Sequence, residues 1–172
     1  MATLLIEARG PEILGYLRAV LRDEGAASDT FSSFCERVWR GLPGFRGDAS
    51  LRSWCYRIAW NAVHSMRRDA RRQRQDRLRT SMASQLAGRI FATTAAERER
   101  KSSALERLKE RLDDDEQTLL TLRVDRQLSW SEIAEVFAAE DGERPREAAL
   151  RKRFERLKDK LASAAKKEGL VD

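Results

Sequence analysis

Residues 49–68 carry side chains whose types suit nucleic-acid recognition. Ser53, Tyr56, Arg57, Trp60, Asn61, His64, Arg67 and Arg68 recur at helical spacing. Arginine neutralises phosphates, an aromatic ring stacks on an unpaired base, and an amide reads a base edge. A merely solvated face would be rich in Glu, Lys and Gln. The opposite stripe is Leu51, Trp54, Cys55, Ile58, Ala59, Ala62, Val63 and Met66, which suits a core. The stretch is expected to be one amphipathic helix with two exposed aromatics among arginines, holding nucleic acid with its strands apart. Trp60 alone has a plainer use, covering a neighbouring helix. The five residues Tyr56, Arg57, Trp60, Asn61 and His64 together are harder to assign to packing.

No reaction chemistry competes with this expectation. The chain has one histidine and two cysteines. It contains no HExxH, no glycine-rich phosphate loop before a helix and no Ser/His/Asp spacing. The carboxylates Asp113, Asp114, Asp115 and Glu116 diverge around a helix and fit a helix N-terminus better than a metal. Cys35 and Cys55 lack the paired spacing of a zinc site or disulfide framework. A non-enzyme is expected, with no catalytic residue, metal or cofactor.

Composition says what kind of scaffold positions the helix. Of 172 residues, 41% are hydrophobic and 36% charged, with only 3 prolines and 9 glycines. Alternating β-branched runs are missing, so the chain reads as all-α with small cores and charged surfaces. Net charge is +6, and the excess is local: residues 67–79 hold seven arginines against Asp69 and Asp76. Such a block suits a polyanionic partner, or else a solvated tract. No stretch has the length and apolarity of a membrane span or a signal segment. The expected setting is the reducing cytoplasm.

Two helices precede the basic one. Residues 11–24 place Ile13, Leu14, Leu17, Val20 and Leu21 on one side, with Pro11 at the start and Gly25 as breaker. Residues 28–42 align Phe31, Phe34, Cys35, Val38 and Leu42, with Ser28 or Asp29 as N-cap. Three glycines and a proline make 41–50 a loop, and Ser50 or Asp48 can cap the basic helix. Residues 1–69 form a first domain on this view. Residues 70–100 are Arg-, Gln-, Ser-, Thr- and Ala-rich, with Leu78, Leu86, Ile90 and Phe91 scattered, and read as a flexible basic linker.

Residues 101–172 form a second domain. Leu105, Leu108 and Leu112 precede the acidic cluster; Leu119, Leu120, Leu122 and Val124 follow it. Ser129 with Glu132 is a capping box ahead of Ile133, Val136 and Phe137. A turn over 140–145 leads to a last helix with Pro145 in its first turn. Its inner face is Leu150, Phe154, Leu157 and Leu161. Its outer face carries Ala148, Ala149, Arg151, Lys152 and Arg156, flanked by Arg146 and Arg153. A short helix, a turn and a basic helix with small residues near its start make a helix-turn-helix.

The string FRGDASLRSWCYRIAWN at 45–61, with VWRGL at 38–42, resembles region 2 of the extracytoplasmic-function (ECF) sigma factors of bacterial RNA polymerase. LSWSEIA at 128–134 resembles the first helix of their region 4 helix-turn-helix. The resemblance implies two small helical domains, a region 2 bundle and a region 4 helix-turn-helix. It implies binding to core RNA polymerase, at the clamp helices of its largest subunit and the flap of its second largest. It further implies recognition of −35 and −10 promoter elements and nucleation of melting. Members are commonly paired with an anti-sigma protein.

Carried over by position, Phe45, Arg46, Gly47, Asp48 and Ser50 would form the pocket for a flipped −10 base. Tyr56, Arg57, Trp60, Asn61 and His64 would hold the upstream edge of the melted region, with Arg67 and Arg68 on the backbone. Arg146, Ala149, Arg151, Lys152, Arg153 and Arg156 would read the −35 element. Asp29, Ser32, Ser33, Glu36, Arg37 and Arg40 would dock on polymerase. Ser32 and Ser33 stand where the family usually has Gln and Glu. The turn before the last helix is longer than usual, and Ala148, Ala149, Leu150 and Arg151 replace the usual Gly-Thr-Val-Lys type of start. The competing expectations are a helix-turn-helix regulator acting without polymerase and a helical adaptor for proteins. The first predicts tight specific binding to duplex DNA by the chain alone, the second no salt-dependent DNA affinity.

Overall fold

A computed structural model describes residues 1–78, 108, 111–138, 143–167 and 169. Within them the chain forms α1 (Ala2–Leu21), α2 (Glu24–Gly41), a 3-10 turn (Leu42–Gly44) and α3 (Leu51–Leu78). Then follow α4 (Asp114–Leu120), a wide helical turn (Thr121–Asp125), α5 (Trp130–Val136) and α6 (Glu147–Lys167). The fold is all-α, as expected.

Several boundaries differ from the sequence expectation. α1 starts at Ala2, with Pro11 inside it. Pro11 is exposed, so the backbone hydrogen bond its ring removes lies on the water side. α1 stops at Arg22, which turns left-handed (φ 55°) and donates its N–H to Arg18 O at 3.0 Å. Asp23, rather than Ser28 or Asp29, caps α2, its carboxylate accepting from Ala26 N at 2.7 Å. Gly25 is thus in the first turn of α2 and breaks nothing. Ser50, not Asp48, caps α3, accepting from Ser53 N at 3.0 Å. α3 continues beyond Asp69 to Leu78, because its arginines and glutamines are good helix formers. The rest of the expected linker, with Leu86, Ile90 and Phe91, and Leu105 of the expected second domain lie outside the described residues.

The first three helices form a bundle. Its core takes Ile13, Tyr16, Leu17 and Val20 from α1, Ala27, Phe34 and Val38 from α2, and Cys55, Ala59 and Val63 from α3. Burial pushes the Cys55 thiol up to about 11, so it behaves as a small apolar group. Leu119, Leu122, Leu128, Ile133, Val136 and Leu150 form the core of α4–α6. Val124, expected inside, is half exposed. Asp113 and Ser129 each close a full capping box, with Glu116 and Glu132 respectively.

The two groups share one continuous core. α5 lies along α3 and α4 packs on α1. Tyr16, fully buried, exchanges a hydrogen bond with Thr118 at 3.0 Å and meets Tyr56 edge-on at 5.4 Å between ring centroids. Beside them the Arg126 guanidinium crosses α1 over Gly15 and donates to Glu12 O at 3.3 Å. No helix among the described residues is long and apolar enough to cross a membrane.

Candidate nucleic-acid interface

α3 turns about 100° per residue, and that rotation decides which members of its expected stripe reach the surface. Tyr56 lies only about 20° from Val63 around the helix axis. It is accordingly buried, and its hydroxyl donates to Glu12 Oε1 at 3.0 Å. The expectation that Tyr56 is an exposed stacking ring is corrected: it belongs to the core. Ser53 is buried too, its hydroxyl paired with Ser50 at 2.9 Å. Arg57, Trp60, Asn61 and His64 are half-buried, and Arg67 and Arg68 are exposed.

Glu12 is the residue that sequence reasoning missed. It accepts from Arg52 Nε at 2.9 Å, from Tyr56 and from Arg9 at 3.3 Å. Burial alone would raise its carboxyl, but the hydrogen bonds and charge of Arg52, with Tyr56 and Arg9, hold it below the ordinary value. Arg52 also donates to Arg126 O at 3.1 Å, which ties α3 to the second half of the chain. The available signal was a lone acid beside Ile13 and Leu14 on an otherwise apolar stripe.

Residues 45–50 form the expected loop. Phe45 rests on Trp54 with ring centroids 5.2 Å apart, and its N–H bonds Leu42 O at 3.1 Å. Arg46, Gly47, Asp48 and Ser50 are exposed. Gly47 has φ 80°, a conformation in which a side chain is strained. The loop meets α3 through Phe45 on Trp54 and Ser50 on Ser53.

The other edge of α3 meets the second half of the chain. Trp60 Nε1 donates to Asp115 Oδ1 at 3.2 Å, and the ring sits edge-on to Phe137 at 5.3 Å. His64 Nε2 pairs with the same oxygen at 3.0 Å. Arg67 grips Asp114 with two bonds of 2.9 and 3.1 Å. Arg153 of α6 reaches Asp115 Oδ2 at 3.2 Å, and Lys160 reaches Glu116 at 2.6 Å. The hydrogen bond from His64, then those from Trp60 and Arg153, outweigh burial and hold the Asp115 carboxyl at about 2.

Unfolded Asp binds its proton at about 3.9, more readily than native Asp115 does. Its contribution to stability is therefore complete above about pH 4 and disappears as pH falls toward 2. Urea unfolding at stepped pH is expected to lose stability across that window, and Asp115→Asn is expected to flatten this part of the profile. An unchanged profile in the variant would remove Asp115 as the source.

On α6, Arg146, Ala149, Lys152 and Arg156 are exposed along one side. Arg151 bonds Glu147 at 3.1 Å and lies over Trp130 at 5.9 Å, beside Arg123 at 4.8 Å. Arg153 is turned away from that side, toward Asp115. Arg146, Ala149, Lys152 and Arg156 thus share the exposed side, while Arg151 is engaged by Glu147 and Trp130 and Arg153 by Asp115. Residues 139–142 of the preceding turn lie outside the described residues.

On α2, Asp29, Ser32, Glu36 and Arg40 are exposed, while Ser33 and Arg37 are half-buried. Arg37 is spent on Ser65 Oγ at 2.9 Å, and Glu36 pairs with Arg40 at 2.6 Å. Trp39, adjacent to these and 60% exposed, was not among the expected docking residues.

The family model Sigma-70 region 2 matches residues 5–73. The RNA polymerase sigma factor YlaC of Bacillus subtilis (strain 168) is 31% identical over 131 residues, 73% of this chain and 72% of that protein. The sigma factor RpoE of Bartonella quintana, solved in complex with the anti-sigma factor NepR, shares the fold with a TM-score of 0.68. That alignment covers 94% of both chains at 15% identity.

Proposed function

The chain belongs to the RNA polymerase sigma factors, in their extracytoplasmic-function group, and from that premise we propose which of its residues do a sigma factor's work. The protein binds bacterial core RNA polymerase, recognises −35 and −10 promoter elements and nucleates promoter melting. It is not an enzyme. Opening is driven by binding: a base taken from the stack costs a few kcal/mol, which contacts made only to the unpaired strand must offset.

The −10 element falls to the loop residues Phe45, Arg46, Gly47, Asp48 and Ser50 and to the α3 residues Arg57, Trp60, Asn61, His64, Arg67 and Arg68. Tyr56 supports them from the core by fixing α3 to α1. Arg146, Ala149, Arg151, Lys152 and Arg156 take the −35 element. Arg153 joins them once it leaves Asp115. Asp29, Ser32, Glu36 and Arg40, with Trp39, form the polymerase-docking face. Residues 1–69 and 101–172 are the two working domains, with the tract over 70–100 between them, and the cytoplasm is the place of action. An anti-sigma protein is a further partner class.

The observation that supports this assignment most is the region 2 match over residues 5–73, which contains both the loop at 45–50 and the α3 residues.

Reconstitution with bacterial core polymerase on a library of genomic fragments tests the proposal. Transcript 5′ ends are expected to cluster downstream of one shared bipartite motif, only with the chain present. Folded chain with active core and no such transcripts would refute it. Transcription should also fall steeply with salt, because phosphate contacts release counterions.

A further inference from the structure

The first residue of α5 is an aromatic ring with two arginines over it, and one of those arginines belongs to α6. Resting on the −35 assignment proposed above, we infer that Trp130 is a positioning residue for promoter reading. Its ring holds the Arg151 guanidinium in the orientation in which Arg151 meets a base edge.

Trp130 is half-buried and is itself well fixed. It follows directly on Ser129, whose capping box with Glu132 sets the start of α5. Its ring meets Phe154 of α6 edge-on, with centroids 5.6 Å apart. The wide turn over Thr121–Asp125 supplies Arg123. That guanidinium lies 4.8 Å from the ring centroid and donates to Leu128 O at 2.8 Å. The ring is therefore a fixed surface on which a second guanidinium can rest.

Arg151 rests on it at 5.9 Å from the centroid, within the reach of cation–π attraction. Glu147, one turn earlier in α6, also accepts from its Nη2 at 3.1 Å. The Arg151 side chain is 57% exposed, so these two partners rather than burial set its direction. Arg146 and Lys152 have no ring or carboxylate partner among the described residues. Arg151 is thus the oriented cation at the start of the recognition helix.

An arginine fork reads guanine only when its plane is aligned with the base edge. A ring that already restricts the plane reduces the freedom lost on binding. In a helix-turn-helix the first helix crosses the DNA backbone and the second enters the major groove. Trp130 ties a reading group of the second helix to the frame of the first.

The test uses the reconstituted holoenzyme on one of its own promoters with the −35 positions randomised. Transcript counts then give the base preference at each position. Arg151→Ala is expected to relax one position about tenfold, in the range of one bidentate base contact. Trp130→Leu keeps apolar bulk and removes the ring face. It is expected to relax the same position about two- to fivefold and to leave the others unchanged. The double variant should be no more relaxed than Arg151→Ala, because residues in contact do not act additively. Trp130→Tyr should keep most of the preference. A merely structural role lowers transcript yield on all sequences alike and selects no position.

If Arg151→Ala relaxes one position while Trp130→Leu relaxes none, or all alike, the inference is overturned and the −35 assignment stands. Losses that multiply in the double variant also overturn it. If Arg151→Ala changes no preference, the −35 role of Arg151 fails and the inference with it. A natural chain that gives no promoter-dependent transcripts with core refutes the proposed function, and this inference falls too. If Trp130→Leu loses helical circular dichroism, Trp130→Tyr and Trp130→Phe carry the test. The preference is then expected to fall stepwise from the natural chain through these two, and an undiminished preference in Trp130→Phe overturns the inference.

Discussion

Trp60→Ala is expected to lower open-complex formation about ten- to a hundredfold while leaving binding to closed duplex promoter nearly unchanged. Stacking of one base on an aromatic ring contributes about 1–3 kcal/mol, and about 1.4 kcal/mol is a factor of ten. Trp60 holds the centre of the α3 stripe, half-buried between Asp115 and Phe137. In the proposed function its ring stacks on an unpaired base. The same substitution removes a bond to Asp115 and the contact with Phe137, which loosens the packing of α3 on the second half of the chain. An unchanged melting midpoint in the variant separates the lost stack from this packing loss. Duplex retention on gels and open-complex lifetime after heparin challenge separate the steps. Equal losses in both would eliminate the stacking role of Trp60.

Phe34→Ala is expected to destabilise the chain by about 3–5 kcal/mol, the usual cost of emptying a large buried aromatic site. Domains are stable by only about 5–15 kcal/mol, so this is a large fraction. Phe34 is 1% exposed in the core shared by α1, α2 and α3, and stacks on Phe31 with ring centroids 5.7 Å apart. For a chain of this length each kcal/mol moves the midpoint by about 2–4 °C. Thermal melting should therefore show a loss of about 6–20 °C. Trp39→Ala removes a larger side chain from α2, but one that is mostly in water, and is expected to leave the midpoint within about 2 °C. Similar shifts for the two would contradict the assignment of Phe34 to the core and Trp39 to the surface.

The helices were legible because apolar spacing at i, i+3 and i+4 survives a charged surface. Ser129 with Glu132 marked the start of α5 from sequence alone, and the acidic cluster marked α4, since capping is local chemistry. The ends of α1 and α2 were not legible. Pro11 and Gly25 look like punctuation, yet a first-turn glycine costs a helix little, and the packing of α1 against its neighbours carries the helix through a proline on its water side. Tyr56 shows a different limit. The stripe around α3 was divided into two faces, whereas this helix is packed by α1 and α2 on one side and by α5 on the next. Only Arg57, Asn61 and Arg68 remain on a third side. Nothing in the spacing of Tyr56 reveals Glu12, which is forty-four residues away in sequence and 3.0 Å away in space.

The site was legible in residue type and less so in arrangement. Arg67, His64 and Trp60 were picked out as cationic or stacking groups, and all three are engaged by Asp114, Asp115 and Phe137. That pairing depends on how α4 and α5 lie against α3, a long-range contact with no sequence period. The same holds for Arg153, a recognition-helix residue by pattern and a partner of Asp115 by position.

Permanganate reactivity of promoter thymines tests most directly whether the chain opens DNA. On a promoter found by reconstitution, thymines near the transcript start should become reactive only when the chain and core polymerase are both present. Trp60→Ala should weaken that signal while −35 protection persists. Strong duplex protection by the chain alone, with no reactive thymines when core is added, would contradict it and favour a duplex-binding regulator.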